Sequence, residues 1–127
     1  MNDDWTRYTI ASDFHNAFSI TVPNMAPGFA YAVNPNGYHK NERAHIFVAG
    51  DGDHAAHVLY PTGDKDVFEY DNTIFDDADG TVGCLAFSDL DEDGWQEVWV
   101  PNYDKSTIEL YKISAASSTE QPELFMQ

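Results

Sequence analysis

The sequence predicts an all-β protein of two antiparallel four-stranded sheets. Three observations carry this. Eight short segments, "RYTIAS", "AFSITV", "HIFVAG", "AHVLYP", "VFEY", "VGCLAF", "EVWVPN" and "TIELYKI", are rich in β-branched and aromatic residues and are bounded by Gly, Pro, Asn or Asp. No segment shows a helical period with caps. The strand pattern also occurs twice along the chain.

In the repeat, "YTIASDFHNAFSITV" precedes "HIFVAGDGDHAAHVLY" as "NTIFDDADGTVGCLAF" precedes "EVWVPNYDKSTIELY". Thr9-Ile10 maps onto Thr73-Ile74, Ile46-Phe47-Val48 onto Val98-Trp99-Val100, and Val58-Leu59-Tyr60 onto Glu109-Leu110-Tyr111. The first unit spans 1–62, with an insertion at 25–43. The second spans 63–113, and 114–127 is a tail. Four strands in roughly 50 to 65 residues is the period of propeller-type blades or other stacked sheets. The runs "HIFVA" and "EVWVP" are apolar without strict alternation, as suits a sheet covered on both faces.

The chain has 127 residues, enough for one ordinary domain. Its 22 acids face only 6 Lys and Arg, a net charge of −16. That excess argues against nucleic acid or an anionic membrane as partner and leaves acids in need of another counter-charge. Aromatic content of 14% weighs against disorder. Cys84 is the only cysteine, so no intrachain disulfide forms, and its apolar surroundings read as a buried small hydrophobe. No apolar run is as long as a membrane span, and the start "MNDDWTRYT" lacks the basic and apolar regions of a signal peptide.

The segment "FSDLDEDGWQEVWVPNY" concentrates the chemistry. Asp89, Asp91 and Asp93 alternate, Gly94 follows, and Glu97 stands just before Val98-Trp99-Val100. Carboxylates this close repel one another unless a cation lies between them. Alternate side chains on a tight loop can converge, Gly94 permits the sharp turn, and a hard cation takes six to eight oxygens. The spacing therefore points to Ca2+. An EF-hand is excluded, because position 12 counted from Asp89 is Val100, within a strand.

A D-x-D-x-D-G-x-x-E loop followed at once by a strand resembles the FG-GAP/VCBS repeat family, in which such a loop joins two strands of a propeller blade. The resemblance covers 67–113. It implies calcium held by the side chains of Asp89, Asp91, Asp93 and Glu97 with the backbone carbonyl of Trp95. In the first repeat Gly37, His39, Asn41 and His45 stand at the four carboxylate positions, so one metal site is expected. Asp51 and Asp53 read as turn residues.

No catalytic constellation emerges. His15, His39, His45, His54 and His57 lack the further close ligands of a zinc site and read as exposed loop and strand residues. Asp76, Asp77 and Asp79 read as an acidic turn, and no nucleophile elbow or phosphate-binding glycine motif is present. The expectation is a non-catalytic, calcium-stabilised structural, adhesion or assembly module, extracellular or at the cell surface. The alternatives are the scaffold of a carbohydrate-active enzyme, or a lectin stacking sugars on Tyr31, Tyr38 or Trp95. Two blades leave open faces. The expected partners are therefore copies of the chain or the rest of a larger propeller, with glycans as a further candidate, unless the two sheets close on each other as a sandwich. The apolar end Leu124-Phe125-Met126 reads as a linker terminus or as a docking peg.

Overall fold

The computed structural model describes residues 5–15, 27–37, 42–64, 67–114 and 125–126. They form an all-β protein with no helix among them. Strands β1 (Ala30–Val33), β2 (His45–Ala49), β3 (Ala56–Thr62) and β4 (Glu69–Asp76) make one antiparallel sheet in the order β1-β2-β3-β4. Strands β5 (Ala86–Ser88), β6 (Glu97–Asn102) and β7 (Thr107–Lys112) make the second. A two-residue β8, Phe125–Met126, pairs along the outer edge of β7.

Turn chemistry sets these boundaries. Asn34-Pro35-Asn36-Gly37 ends β1 with the Gly37 N–H donated to the Asn34 carbonyl at 3.2 Å and Gly37 at φ +85°. Gly63, at φ +65°, begins the β3–β4 turn. The Arg43 guanidinium binds that turn, donating to the carbonyls of Thr62, Val67, Gly63 and Glu69 and lying over the Tyr70 ring. One cation thus satisfies carbonyls that a hairpin end leaves without ladder partners.

A single core lies between the sheets. Phe47, Ala49, Ala56 and Val58 from the first meet Val98, Val100 and Tyr111 from the second, with Ala78, Val82, Leu85 and Ile113 completing the cluster. Phe47 is 1% exposed and meets Phe75 and Phe87 edge-on, at centroid distances of 5.7 and 5.0 Å. Full burial of each large side chain contributes about 1.5–3 kcal/mol, which makes this cluster the main tie between the sheets. Val48, His57 and Leu59 point to the other face of the first sheet and are also buried. Phe14, from the extended segment 5–15, packs edge-on against His57 there, and Tyr8 lies against Phe68. "HIFVA" is thus apolar on both sides because both sides are covered.

Several sequence expectations change. Residues 7–12 form no strand, whereas 30–33, inside the expected insertion, form β1. "VFEY" and "NTIF" contribute to one strand, β4, which pairs with β3, so the first sheet runs past residue 62 to Asp76. Thr9-Ile10 and Thr73-Ile74 therefore do not occupy equivalent places. Pairing sets Phe47 opposite Val58 and Trp99 opposite Leu110, but Phe47 faces the core whereas Trp99 alternates with the core residues Val98 and Val100, so the expected match of Phe47 with Trp99 joins residues on different faces. Cys84 is exposed, because Val82 and Leu85 take the core positions beside it. The expected strand at 17–22, Tyr38, His39, Asn41 and residues 115–124 of the tail lie outside the described residues.

Candidate metal centre

The acidic loop connects β5 to β6, and these two strands fix its ends directly opposite one another: Ser88 pairs with Glu97. Within it, Glu92 (φ +59°) and Gly94 (φ +91°) take left-handed conformations that reverse the chain twice. Asp89 Oδ2 accepts the Gly94 N–H at 3.0 Å, and Asp93 Oδ1 accepts the Trp95 N–H at 2.9 Å. Glu97 Oε2 accepts the Leu90 N–H at 2.6 Å. The acids thus fold the loop around themselves before any ion is considered. The Gln96 N–H donates to the Pro35 carbonyl at 2.7 Å, tying the loop to its counterpart between β1 and β2.

Asp89, Asp91 and Glu97 converge: one carboxylate oxygen from each lies within 4.8 Å of the others, and the group can hold a metal ion. Glu97 is 3% exposed, and its Oε1 is buried without a hydrogen-bond partner, as is Asp89 Oδ1. A buried carboxylate oxygen with no donor is costly, and a hard cation is the partner that suits two of them at once. The donor set therefore fits the ion that the spacing implies.

One expected ligand is placed differently. The Asp93 carboxylate belongs instead to an ion pair with Lys112, at 2.7 Å, and lies outside the converging group. Lys112 also pairs with Asp91. The hydrogen bond from Lys112, with that from the Trp95 N–H, holds the Asp93 carboxyl below the usual range. The same pairing, Asp91 first and Asp93 second, pushes the Lys112 ammonium up. Trp95 takes part through its backbone N–H, while its partly buried indole packs against the shared core.

Sequence reasoning missed a second polar pair. Asp53 and His57 are buried at the β2–β3 connection, with side chains 2% and 5% exposed, and join through Oδ2 and Nε2 at 2.5 Å. The expectation of an exposed His57 fails because Phe14 covers its face of the sheet. Asp53 is a turn residue as expected, and its carboxylate turns inward to the histidine. The i, i+4 spacing around a turn was the available signal. His45 is partly buried beside Tyr60, and loss of solvent lowers its pKa against a smaller opposing effect of Glu42.

No family model, curated protein or solved structure matches the chain.

Proposed function

We propose that the chain is a non-catalytic, calcium-stabilised structural, adhesion or assembly module of FG-GAP/VCBS type. The observation that carries the reading is the buried, unpartnered Oε1 of Glu97 beside Asp89 and Asp91. Asp93 and the Trp95 carbonyl complete the shell once the ion draws the loop in. An affinity of about 10⁻⁴ to 10⁻³ M, the range of extracellular modules, would suit a place outside the cell or at its surface.

The blade-like reading draws on the outer face of the second sheet. Val98, Val100 and Tyr111 meet Phe47 and Val58 in the core, whereas Trp99 and Leu110, paired between β6 and β7, alternate with them and lie on the face turned away from the first sheet. If the sheets stack as blades, that half-buried apolar face would receive a further sheet from a second copy.

Melting with about 1 mM calcium chloride and with chelator tests the reading. Calcium should raise the midpoint in the native chain and leave Asp89→Asn with Glu97→Gln unmoved. Equal midpoints in the native chain would mean that Lys112 alone is the counter-charge of the loop and that calcium has no place there.

A glycan-binding reading draws on one surface feature. Tyr103, 82% exposed, stands beside a groove of about 450 Å³ lined also by Asp51, Thr81, Cys84 and Pro101. An exposed ring over such a groove can stack on a sugar. Tyr31 and Trp95, in contrast, pack against the core. Glycan-array binding abolished by Tyr103→Ala would favour the lectin.

A further inference from the structure

We propose that Lys112 is a built-in counter-ion of the acidic loop, displaced when a divalent cation binds, and that it thereby sets the affinity of the site. The inference rests on reading that loop as a cation clasp. Lys112 ends β7 directly opposite Glu97 on β6, so both side chains leave the same face of the sheet. A pocket of about 250 Å³ at that point is lined by Leu90, Asp91, Glu97, Leu110 and Lys112. The ammonium therefore shares one space with two of the three converging carboxylates.

Asp91 is the contested residue. It belongs to the group with Asp89 and Glu97, and its Oδ2 also binds Lys112 Nζ. One carboxylate does not serve an ammonium and a divalent ion at full strength, and the two cations repel at this range. Lys112 also accounts for the position of Asp93. That carboxylate follows the ammonium at 2.7 Å and so stands outside the converging group. Release of Lys112 leaves Asp93 free to turn towards the ion.

The competition is mild by construction. Lysine carries a compact, strongly hydrated charge on a flexible stem, and half-exposed pairs of this kind hold weakly. An ion that arrives at sufficient concentration exchanges for it, and the ammonium returns to water. The empty clasp stays folded on its lysine, and the loaded clasp on its metal. Glu97, shielded from solvent on the sheet face, keeps one oxygen for the ion in both states.

Calorimetric titration of calcium chloride into the full chain tests this, with Lys112→Met, Lys112→Arg and, as a control for net charge, Lys105→Met. Loss of two weak ion pairs should tighten calcium binding by Lys112→Met about three- to tenfold. Lys112→Arg should give no tightening, and Lys105→Met a change below about twofold. Peptide-resolved acylation of the native chain supplies a readout independent of the variants, because calcium should raise the reactivity of Lys112. A native chain that binds calcium while Lys112→Met binds no tighter, or while Lys112 reactivity stays constant, overturns the exchange and leaves the clasp standing. Absence of calcium binding by both native chain and Lys112→Met overturns the clasp and the exchange together.

Discussion

Glu97 accepts the Leu90 N–H through Oε2 at 2.6 Å, while Oε1 of the same carboxylate is buried with no partner. One oxygen shapes the loop and the other is left for a ligand. Glutamine can still accept from Leu90 but brings no charge. Glu97→Gln should therefore stay folded and lose its response to calcium. For a Kd near 10⁻⁴ M, about 1 mM calcium contributes about 1.4 kcal/mol to the native chain and close to nothing to the variant. In chelator the variant should melt no lower than the native chain, because a buried uncompensated charge has gone. A fall in both conditions would assign Glu97 a role in loop folding alone.

Asp53 and His57 pair through Oδ2 and Nε2 away from the acidic loop, with Asp53 Oδ1 and His57 Nδ1 buried and unpartnered, and the worth of the pair is measurable. Removal of either partner leaves the other buried without a hydrogen bond, at about 1–3 kcal/mol. Asp53→Ala and His57→Ala should each destabilise by that amount in denaturant unfolding. The double variant should lose less than the sum, with a coupling of about 0.5–3 kcal/mol. Asp64→Ala, on the exposed β3–β4 turn, should change stability by less than about 0.5 kcal/mol. Strict additivity of the two single changes would show that the contact is not an energetic unit.

The parts legible in sequence were the local ones. The convergence of Asp89, Asp91 and Glu97 follows from spacing on one loop, so a reading of neighbours along the chain finds it. The diversion of Asp93 does not, because its cause is Lys112 on another strand. β4 extends beyond the expected strand "VFEY" to Asp76, through the polar Asp71-Asn72. Both residues are exposed on an edge strand, where polar side chains are tolerated and also discourage stray pairing. His57 looked like a surface histidine because its cover, Phe14, is distant in sequence. The continuous apolar character of "HIFVA" and "EVWVP" was informative about burial but silent on which face meets which. That emerged only from the core itself, where Phe47 and Val58 meet Val98, Val100 and Tyr111.

Asp76 on β4 and Tyr111 on β7 are hydrogen-bonded across the sheets, and the environment of the pair sets a pH dependence. Loss of solvent raises the Asp76 pKa, outweighing the bond from Tyr111, with Glu109 and Asp77 adding to the rise. A carboxyl whose folded value lies above its unfolded value binds protons better when folded. Stability from this group is therefore present at low pH and is lost as pH rises from the unfolded value of 3.8 through the raised folded one. Asparagine can accept from the Tyr111 hydroxyl without the charge. Asp76→Asn should melt higher than the native chain at pH 7, and the gap should narrow as pH falls towards 4. A gap that stays constant with pH would place the effect in packing rather than in ionisation.

The outer face of the second sheet supplies the test of assembly. Trp99, Leu110 and Ile108 share it, and Ile108 is 67% exposed. These positions alternate with Val98, Val100 and Tyr111, which meet Phe47 and Val58 of the first sheet. If a second copy stacks there, Leu110→Lys should abolish the contact by placing a charge at its centre. The same change moves the net charge from −16 to −15, which eases repulsion between copies, so a loss of association cannot be blamed on added charge. Light scattering at high protein concentration should give a mass above 14.3 kDa for the native chain and 14.3 kDa for the variant. A native chain that remains at 14.3 kDa throughout rules out stacking between copies. An assembled variant would move the contact to another surface, with β4, the outermost strand of the first sheet among the described residues, the next to be altered.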